Sequence, residues 1–290
     1  MYRLRLEQAL SAWPQWGQAL DRAPRLLQPL PGGLTNGSYL LQAGSRRLVL
    51  RLNASNTASL GIDRAQEAAA WHAAATAGLA PELVYVDPQY RYLVSDYLCP
   101  TVGTDVTAVE PVATLLKRVH NLPLAGRPLA IAERAQHYWR SLAGHSLPGH
   151  WLRVQQQLHD FFQRRATETE LCFCHHDPVV QNLLPCAGRL YLIDWEYAAP
   201  GDPYFDLAAY AHSAKLGSGG IRHLLDAYSD GADEQDQRRF RQADFAYRYL
   251  EWLWLLVQEW QPMQSDPTKR ERLEAKLQYL LGVCRNLKAS

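Results

Sequence analysis

The order of strand-like and helix-like segments along the chain limits its fold more than any other feature. In the first 98 residues, short apolar segments typical of strands occur as two pairs, over residues 32–41 and 47–52 and over residues 83–86 and 92–97. An alanine-rich segment over residues 63–77 lies between the pairs and predicts a helix, and a further helix is predicted over residues 4–20. This order predicts a small antiparallel sheet with a helix packed against it.

The remaining residues have a mostly helical pattern. Helical periodicity covers residues 106–120, 130–142, 151–165, 203–215, 221–228, 234–260 and 269–286. Strand patterns are confined to residues 171–174, 182–185 and 190–193, where they form a short insert. We therefore predict an α+β protein of two lobes that meet at a cleft, with an antiparallel-sheet lobe over residues 1–98 and a mainly helical lobe over residues 99–290.

Charge and composition exclude several classes of protein. The chain has 30 lysine and arginine residues against 29 aspartate and glutamate residues, so it lacks the basic field that a nucleic-acid partner requires. No window reaches the roughly 18 apolar residues of a membrane helix, and the first 30 residues do not resemble a signal peptide. The five cysteines are irregularly spaced, unlike a disulfide framework. We therefore expect a cytoplasmic protein with no nucleic-acid or membrane partner.

The strand insert carries a group of polar residues with informative spacing. Asp177 follows His175 by two residues and precedes Asn182 by five, which is the spacing of the kinase catalytic loop. In that loop the aspartate orients and deprotonates an alcohol, and the asparagine binds magnesium. Asp194 ends the next apolar strand, and Mg²⁺ prefers such oxygen ligands, which it shares with substrate phosphates. The pattern predicts Asp177 and His175 as catalytic residues, with Asn182 and Asp194 as metal ligands.

A metal–thiolate site is an alternative interpretation of the same segment. Strand alternation places Cys172 and Cys174 on one face, and His175 and His176 follow directly. Structural zinc sites usually draw a second cysteine pair from elsewhere, and the sequence has none at such spacing. A cysteine–histidine protease is also disfavoured, because adjacent residues on a strand point apart.

Taken together, these residues resemble the superfamily of choline/ethanolamine kinases, thiamine kinases and aminoglycoside phosphotransferases. The resemblance extends over about residues 32–258, and its core is residues 175–182 with residues 193–198. It implies a protein-kinase-like two-lobe fold, ATP and Mg²⁺ as cofactors, and a small-molecule alcohol as phosphate acceptor. It also implies that Asp206, in the segment over residues 201–208, supports the catalytic loop without reacting.

The resemblance assigns nucleotide binding to the small lobe. Residues 32–38 resemble a phosphate-covering hairpin, in which glycines let backbone amides approach anionic oxygens. Arg51 takes the place of a phosphate-binding lysine, Glu67 is its ion-pair partner, and the backbone of the hinge over residues 96–98 would bind adenine. The residues predicted to bind the nucleotide are Gly33, Thr35, Asn36, Ser38, Arg51, Glu67, Asp96, Tyr97 and Leu98.

An aromatic segment covers residues 245–260, and its part over residues 253–258 resembles the helix that supplies the choline pocket of choline kinases. Tryptophan faces bind quaternary or protonated amines with about 0.5–2 kcal/mol of cation–π attraction. The family's neighbouring tryptophan is Glu251 here, a carboxylate suited to a cation. At helical spacing, the same aromatics are also typical of a buried stripe. The residues predicted to bind the acceptor are Trp195, Glu196, Tyr249, Glu251 and Trp254.

The resemblance therefore implies an ATP- and Mg²⁺-dependent phosphotransferase that acts on the hydroxyl of a small cationic alcohol, of the choline/ethanolamine or thiamine type. An aminoglycoside phosphotransferase is the alternative, but the helices after Asp206 lack the acidic surface that polycationic sugars require. A catalytically silent, nucleotide-binding pseudokinase is an alternative of another class. The presence of Asp177, Asn182 and Asp194 disfavours it.

Overall fold

The small lobe contains one antiparallel sheet of five strands. The computed structural model describes residues 2–289 except 18–19, 21, 32–35, 55–56, 102, 104, 164–169 and 265. The strands are β1 (Arg25–Leu30), β2 (Gly37–Ala43), β3 (Arg46–Leu52), β4 (Leu83–Val86) and β5 (Tyr92–Asp96), in the spatial order β1-β2-β3-β5-β4. β1 is absent from the prediction because it is an exposed edge strand interrupted by Pro29, and proline is confined to such edges.

One face of this sheet packs on the N-terminal helix α1 (Tyr2–Ser11) and on Trp16. The helix is shorter than predicted, because Pro14 interrupts helical hydrogen bonding and a single 3-10 turn, Trp13–Gln15, follows. Leu50 and Leu52 of β3 face this apolar layer. Because side chains alternate along a strand, Arg51 between them faces the opposite side, toward the cleft.

Two helices follow β3, α2 (Thr57–Leu60) and α3 (Arg64–Thr76). Asp63 caps α3, since its carboxylate accepts hydrogen bonds from the amides of Ala65 at 2.9 Å and Gln66 at 3.1 Å. The cap fixes the start of the helix and places Glu67 in its first turn. Trp71 and Ala74 of α3 join the core of the large lobe, which brings Glu67 under the cleft.

The large lobe is mainly helical, as predicted. Its helices are α4 (Val109–His120), α5 (Ile131–Ser141), α6 (Gly149–Gln163), α7 (Pro203–Ser213), α8 (Ser218–Ser229), α9 (Glu234–Gln264) and α10 (Pro267–Ala289). None of the helices in the described part of the chain is both long and apolar enough to span a membrane. The predicted fold class, α+β with a sheet lobe and a helical lobe, is confirmed.

Two short antiparallel ribbons form the insert that faces the cleft. β7 (Leu183–Cys186) pairs with β8 (Arg189–Leu192), and β6 (Cys172–Cys174) pairs with β9 (Ala199–Gly201). β9 is absent from the prediction because three residues containing a proline carry no readable alternation. The loop after β6 and the loop after β8 therefore emerge side by side, and a backbone bond from the Ile193 amide to the Asn182 carbonyl at 3.0 Å ties them together.

Candidate active site

Asp206, fully buried in the first turn of α7, fixes the backbone of the loop over residues 175–177. Its carboxylate oxygens accept hydrogen bonds from the amides of His175 at 2.8 Å and His176 at 2.7 Å. His176 adopts a positive φ of 63°, which is uncommon for a residue with a side chain, and these bonds hold it there. Burial raises the pKa of Asp206, but the hydrogen bond from His120 and the electrostatic effects of His120, His176 and His175 together outweigh it and hold that pKa below its usual value. Its place matches the supporting role that the resemblance implies.

The imidazole of His175 holds the backbone of Asp177. Its Nδ1 accepts the amide of Asp177 at 3.2 Å, and its Nε2 donates to the carbonyl of Ile193 at 3.1 Å. Burial lowers the pKa of His175 to about 4, so the ring is neutral near pH 7. It packs against Trp195 and does not line the cleft cavity. The structure therefore places His175 behind Asp177 as a support of its backbone, outside the cavity, although the sequence predicts it as a catalytic residue.

Asp177 and Asn182 are joined by two hydrogen bonds. The Asn182 Nδ2 donates to the Asp177 carbonyl at 2.9 Å and to its carboxylate at 3.0 Å. Burial and the nearby carboxylates of Asp194 and Glu196 raise the pKa of Asp177 well above its usual value. A carboxylate with a raised pKa is a stronger proton acceptor, as general-base catalysis requires. Both side chains line the cavity described below.

Asp194 follows β8 in a left-handed conformation, with a φ of 66°. The turn directs its carboxylate toward the small lobe, where the Arg51 Nη1 lies 2.9 Å away. Burial and the neighbouring Glu196 raise the pKa of Asp194 to about 7, against the opposing effect of Arg51. The carboxylate thus lies between the two lobes.

Three carboxylates and two arginines form a buried cluster across the cleft. Single oxygens of Glu67, Asp194 and Glu196 lie within 4.8 Å of one another. Arg51 pairs with Glu67 and Asp194, and the Arg64 Nη1 lies 2.7 Å from Glu67 and 3.0 Å from Glu196. Each guanidinium group thus bridges two carboxylates, and such pairing offsets part of the cost of burying charged groups.

Asn36 links this cluster to the start of β2. Its Nδ2 donates to Glu196 at 2.8 Å, and its Oδ1 accepts from the Arg64 Nη2 at 3.0 Å. Sequence reasoning did not assign Arg64 to the site. Its position three residues before Glu67 on one helix face was the available signal.

The other residues predicted to bind the nucleotide differ in their placement. Gly33 and Thr35 lie outside the described residues. Ser38 pairs with Arg51 across β2 and β3, so both side chains lie on the cleft face of the sheet.

The hinge residues differ in which amides are available. The amides of Asp96 and Tyr97 donate to the carbonyls of Glu82 at 2.9 Å and Arg47 at 3.0 Å. The Leu98 amide has no hydrogen bond to a described residue. Among the three predicted hinge residues, Leu98 is therefore the one whose amide is not already used within the described part of the chain.

A cavity of about 330 Å³ opens beside Asp177 in the large lobe. Its aromatic walls come from several elements: Tyr138, Tyr197, Phe205, Tyr247 and Trp254. Sequence reasoning missed Tyr138 and Tyr247, which come from helices far apart in the chain. The indole of Trp254 donates to the Tyr197 hydroxyl at 3.0 Å, which fixes both rings.

Charged side chains complete the cavity. Glu196 and Glu251 line it, and the Lys276 ammonium lies 2.8 Å from the Glu251 carboxylate. Burial raises the pKa of Glu251, but hydrogen bonds with His212 and Lys276 outweigh it and bring the pKa to about 2. Arg134 also lines the cavity, but its Nη1 is bound to the carbonyls of Leu60 and Gly61, each at 2.9 Å.

Two predicted acceptor residues lie in the core instead of the cavity. Tyr249 is 1% exposed, accepts a hydrogen bond from the Trp139 indole at 2.9 Å and stacks on Phe162. Trp195 is fully buried beneath His175, and its indole donates to the Leu192 carbonyl at 3.1 Å. On α9, Tyr247, Glu251 and Trp254 share the cavity face, and Tyr249 falls on the opposite, core face. The aromatic segment therefore has one face in the core and one face on the cavity.

Comparison with known proteins identifies the family. A model of the phosphotransferase enzyme family matches residues 26–253, most of the chain. The chain belongs to the phosphotransferase enzyme family. This membership confirms the resemblance stated from the motifs and the prediction of a phosphotransferase.

Individual relatives of this phosphotransferase are moderately similar. Protein LicA of Haemophilus influenzae is 27% identical over 269 residues, which cover 86% of this chain and 78% of that protein. A thiamine kinase of Shigella boydii serotype 4 is 28% identical over 229 residues, 79% of each chain. The structure of choline kinase LicA from Streptococcus pneumoniae has a TM-score of 0.76 at 20% identity, covering 96% of this chain and 98% of that chain. The last likeness confirms the kinase-like two-lobe fold.

Proposed function

We propose that this phosphotransferase transfers the γ-phosphate of ATP to the hydroxyl of a small cationic alcohol, of the choline/ethanolamine or thiamine type. The observation that carries the proposal is the aromatic cavity of about 330 Å³ that opens directly onto Asp177. A cavity of this size suits a small acceptor. Relatives named as a choline kinase and a thiamine kinase act on alcohols of this class.

The acceptor hydroxyl would be oriented by the Asp177 carboxylate. Asn182 donates to that carboxylate, the His175 ring accepts from the Asp177 amide, and Asp206 holds the two amides that precede it. The raised pKa of Asp177 lets it accept the hydroxyl proton as the new phosphate–oxygen bond forms. Phosphoryl transfer depends mainly on such positioning and on charge stabilisation.

The residues of the cleft fit a nucleotide with Mg²⁺. Asn182 and Asp194 offer the hard oxygen donors that Mg²⁺ prefers, and Glu196 lies beside them. When bound, the ion neutralises negative charge on the phosphates. The buried Nε atoms of Arg51 and Arg64 have no partner among the described residues, and phosphate oxygens are suitable acceptors for them.

The aromatic and acidic walls favour a cation over a neutral alcohol. Tyr138, Tyr197, Tyr247 and Trp254 offer ring faces, and such faces attract a quaternary or protonated amine by about 0.5–2 kcal/mol. Glu251, ionised at neutral pH and paired with Lys276, presents a carboxylate at the cavity wall. Arg134 on the same wall is held at the backbone of α2 and lies over the ring of Tyr197.

Release of ADP in the presence of Mg²⁺ tests the proposal, with choline, ethanolamine, thiamine and kanamycin as acceptors. An uncharged isostere of choline, with carbon in place of nitrogen, serves as the control for charge. We expect at least one of the small cations to raise turnover, and its uncharged analogue to do so less. If no alcohol raises ADP release above the ATPase background, the proposal is wrong.

The variant Asp177→Asn separates catalysis from binding. We expect kcat to fall by roughly 10²–10⁴-fold, since the amide cannot accept the proton, while nucleotide affinity is retained. Asp230→Asn is the control, because Asp230 is an exposed residue paired with Lys117 far from the cleft. Equal activity of Asp177→Asn and the wild type would contradict the assigned role.

A further inference from the structure

Two cysteines and a histidine that phosphoryl transfer does not use lie together behind the catalytic loop. The sulfur atoms of Cys172 and Cys174, at the two ends of β6, are 3.6 Å apart. His120 is the last residue of α4, and one of its ring nitrogens lies within 4.8 Å of both sulfurs. The adjacent His175 and His176 instead face the carbonyls of Ile193 and Tyr197.

We propose that Cys172, Cys174 and His120 bind a thiophilic divalent cation such as Zn²⁺. Two Zn–S bonds of about 2.3 Å at a tetrahedral angle separate the sulfurs by roughly 3.8 Å, close to the observed separation. Two thiolates and an imidazole are ligands that zinc prefers, and a fourth position remains for water. The third ligand of the metal would thus come from His120 on a distant helix, and not from a second cysteine pair.

The hydrogen bonds of His120 leave the correct nitrogen for a metal. Its Nε2 lies 3.1 Å from the Asp206 carboxylate, which only accepts, so Nε2 carries the proton. Its Nδ1 lies 2.7 Å from the Tyr228 hydroxyl, and a metal would bind this atom in the tautomer that carries the proton on Nε2. A carboxylate bound to the far nitrogen is the usual support of a metal-binding imidazole. Tyr228 is only half-buried, so its hydroxyl can give way to the ion.

Binding would exchange protons for the metal without any redox change. Burial raises the pKa of the Cys174 thiol well above its usual value, so the thiol is protonated before the ion arrives. Each S–H bond breaks as an S–metal bond forms, and the two protons pass to solvent.

The site is connected to the catalytic loop through two routes. β6 continues directly into the loop that carries Asp177, and His120 shares Asp206 with the loop amides. Drawing the sulfurs and Nδ1 onto bonds of about 2.0–2.3 Å moves the end of β6. Since a displacement of about 1 Å near reacting groups can reduce the rate roughly 10²-fold, occupancy is expected to lower kcat.

Titration of the purified protein with Co²⁺, a spectroscopic substitute for Zn²⁺, tests the site. We expect thiolate-to-cobalt charge-transfer absorption that saturates at one equivalent, and its loss in Cys172→Ser and in Cys174→Ser. Cys186→Ser is the matched control, because Cys186 is also half-buried on a short strand of the insert. Absence of the absorption in the wild type, or its persistence in both ligand variants, overturns the proposal.

Kinetics with Zn²⁺ tests the connection to the loop. At saturating Mg²⁺–ATP, we expect Zn²⁺ to lower kcat severalfold in the wild type and in Cys186→Ser, but not in Cys172→Ser. Equal inhibition of all three proteins would mean that Zn²⁺ acts elsewhere, and the connection would be wrong. Because the Co²⁺ absorption requires no turnover, the site is tested independently of the proposed function.

Discussion

At the scale of single residues, burial decides what each ionisable group in the site can do. His175 and Asp177 are two positions apart, yet burial lowers the pKa of the histidine and raises that of the aspartate. Both shifts favour the neutral form, because a buried charge loses its hydration. The histidine is thereby removed from proton transfer, and the aspartate gains proton affinity.

This shift predicts how the stability of the protein depends on pH. The pKa of His175 is about 4 in the folded protein and about 6.5 when unfolded. Between these values the unfolded chain binds the extra proton, so the stability contributed by a neutral His175 is lost as pH falls below about 6.5. Lowering the pH from 7 to 5 should cost about 2 kcal/mol through this residue.

Urea unfolding of the wild type and His175→Asn at both pH values checks this prediction. Asparagine retains a donor and an acceptor but does not titrate. The effects of the other ionisable groups on the free energy of unfolding therefore cancel when the two proteins are compared. The stability advantage of the wild type should shrink by about 2 kcal/mol between pH 7 and pH 5. The same advantage at both pH values would show that His175 is not held neutral by burial.

At the scale of elements, the short strand β9 supports the catalytic loop from below. The imidazole of His176 packs directly over Gly201, where a methyl group would overlap it. We predict that Gly201→Ala destabilises the protein by about 1–3 kcal/mol through overpacking. We also predict a kcat up to roughly 10²-fold lower, since the displaced ring moves the loop before Asp177.

Gly219→Ala is the control for that variant, because Gly219 lies in the first turn of α8 with open space around it. Alanine there should be neutral or slightly stabilising, as it favours helix. Thermal unfolding and steady-state kinetics measure both effects. Wild-type stability and kcat in Gly201→Ala would show that the loop does not depend on this contact.

The elements also show how far the sequence alone predicts the fold and the site. The predicted catalytic group of Asp177, Asn182 and Asp194 is local in sequence, and the structure brings these residues together at the cleft. The edge strand β1, the three-residue β9 and the end of α1 were missed because prolines and short lengths hide their patterns. The contacts of Arg64 with Glu196 and of His120 with Asp206 join residues far apart in the chain, so only the tertiary fold reveals them.

At the scale of the whole molecule, the two lobes meet through charged side chains. Glu196 of the large lobe binds Asn36 and Arg64 of the small lobe, and Asp194 binds Arg51. Three carboxylates face two guanidinium groups in this cluster, so its acidic groups outnumber its basic groups. A divalent cation beside a nucleotide would favour ionised carboxylates there and connect the lobes more tightly.

Nucleotide with Mg²⁺ should therefore stabilise the folded protein through Asp194. At about 100 times Kd, a non-hydrolysable ATP analogue with Mg²⁺ stabilises by roughly 2.7 kcal/mol, which corresponds to a rise in Tm of about 4–5 °C. Removing Mg²⁺ with EDTA should reverse most of this rise. In Asp194→Asn we expect the ATP analogue to raise the Tm only slightly, and by the same amount with and without Mg²⁺. The reason is that the amide attracts the cation far less than a carboxylate does.

Asp230→Asn is a closely matched control for this last variant. Asp194 and Asp230 both adopt a left-handed conformation, with φ of 66° and 56°, which asparagine tolerates well. Both variants should therefore fold, and they differ in whether the lost carboxylate faces the cleft or solvent. If Mg²⁺ raises the Tm of Asp194→Asn as much as that of Asp230→Asn, Asp194 is not a ligand of the metal, and charge balance across the cleft does not join the lobes.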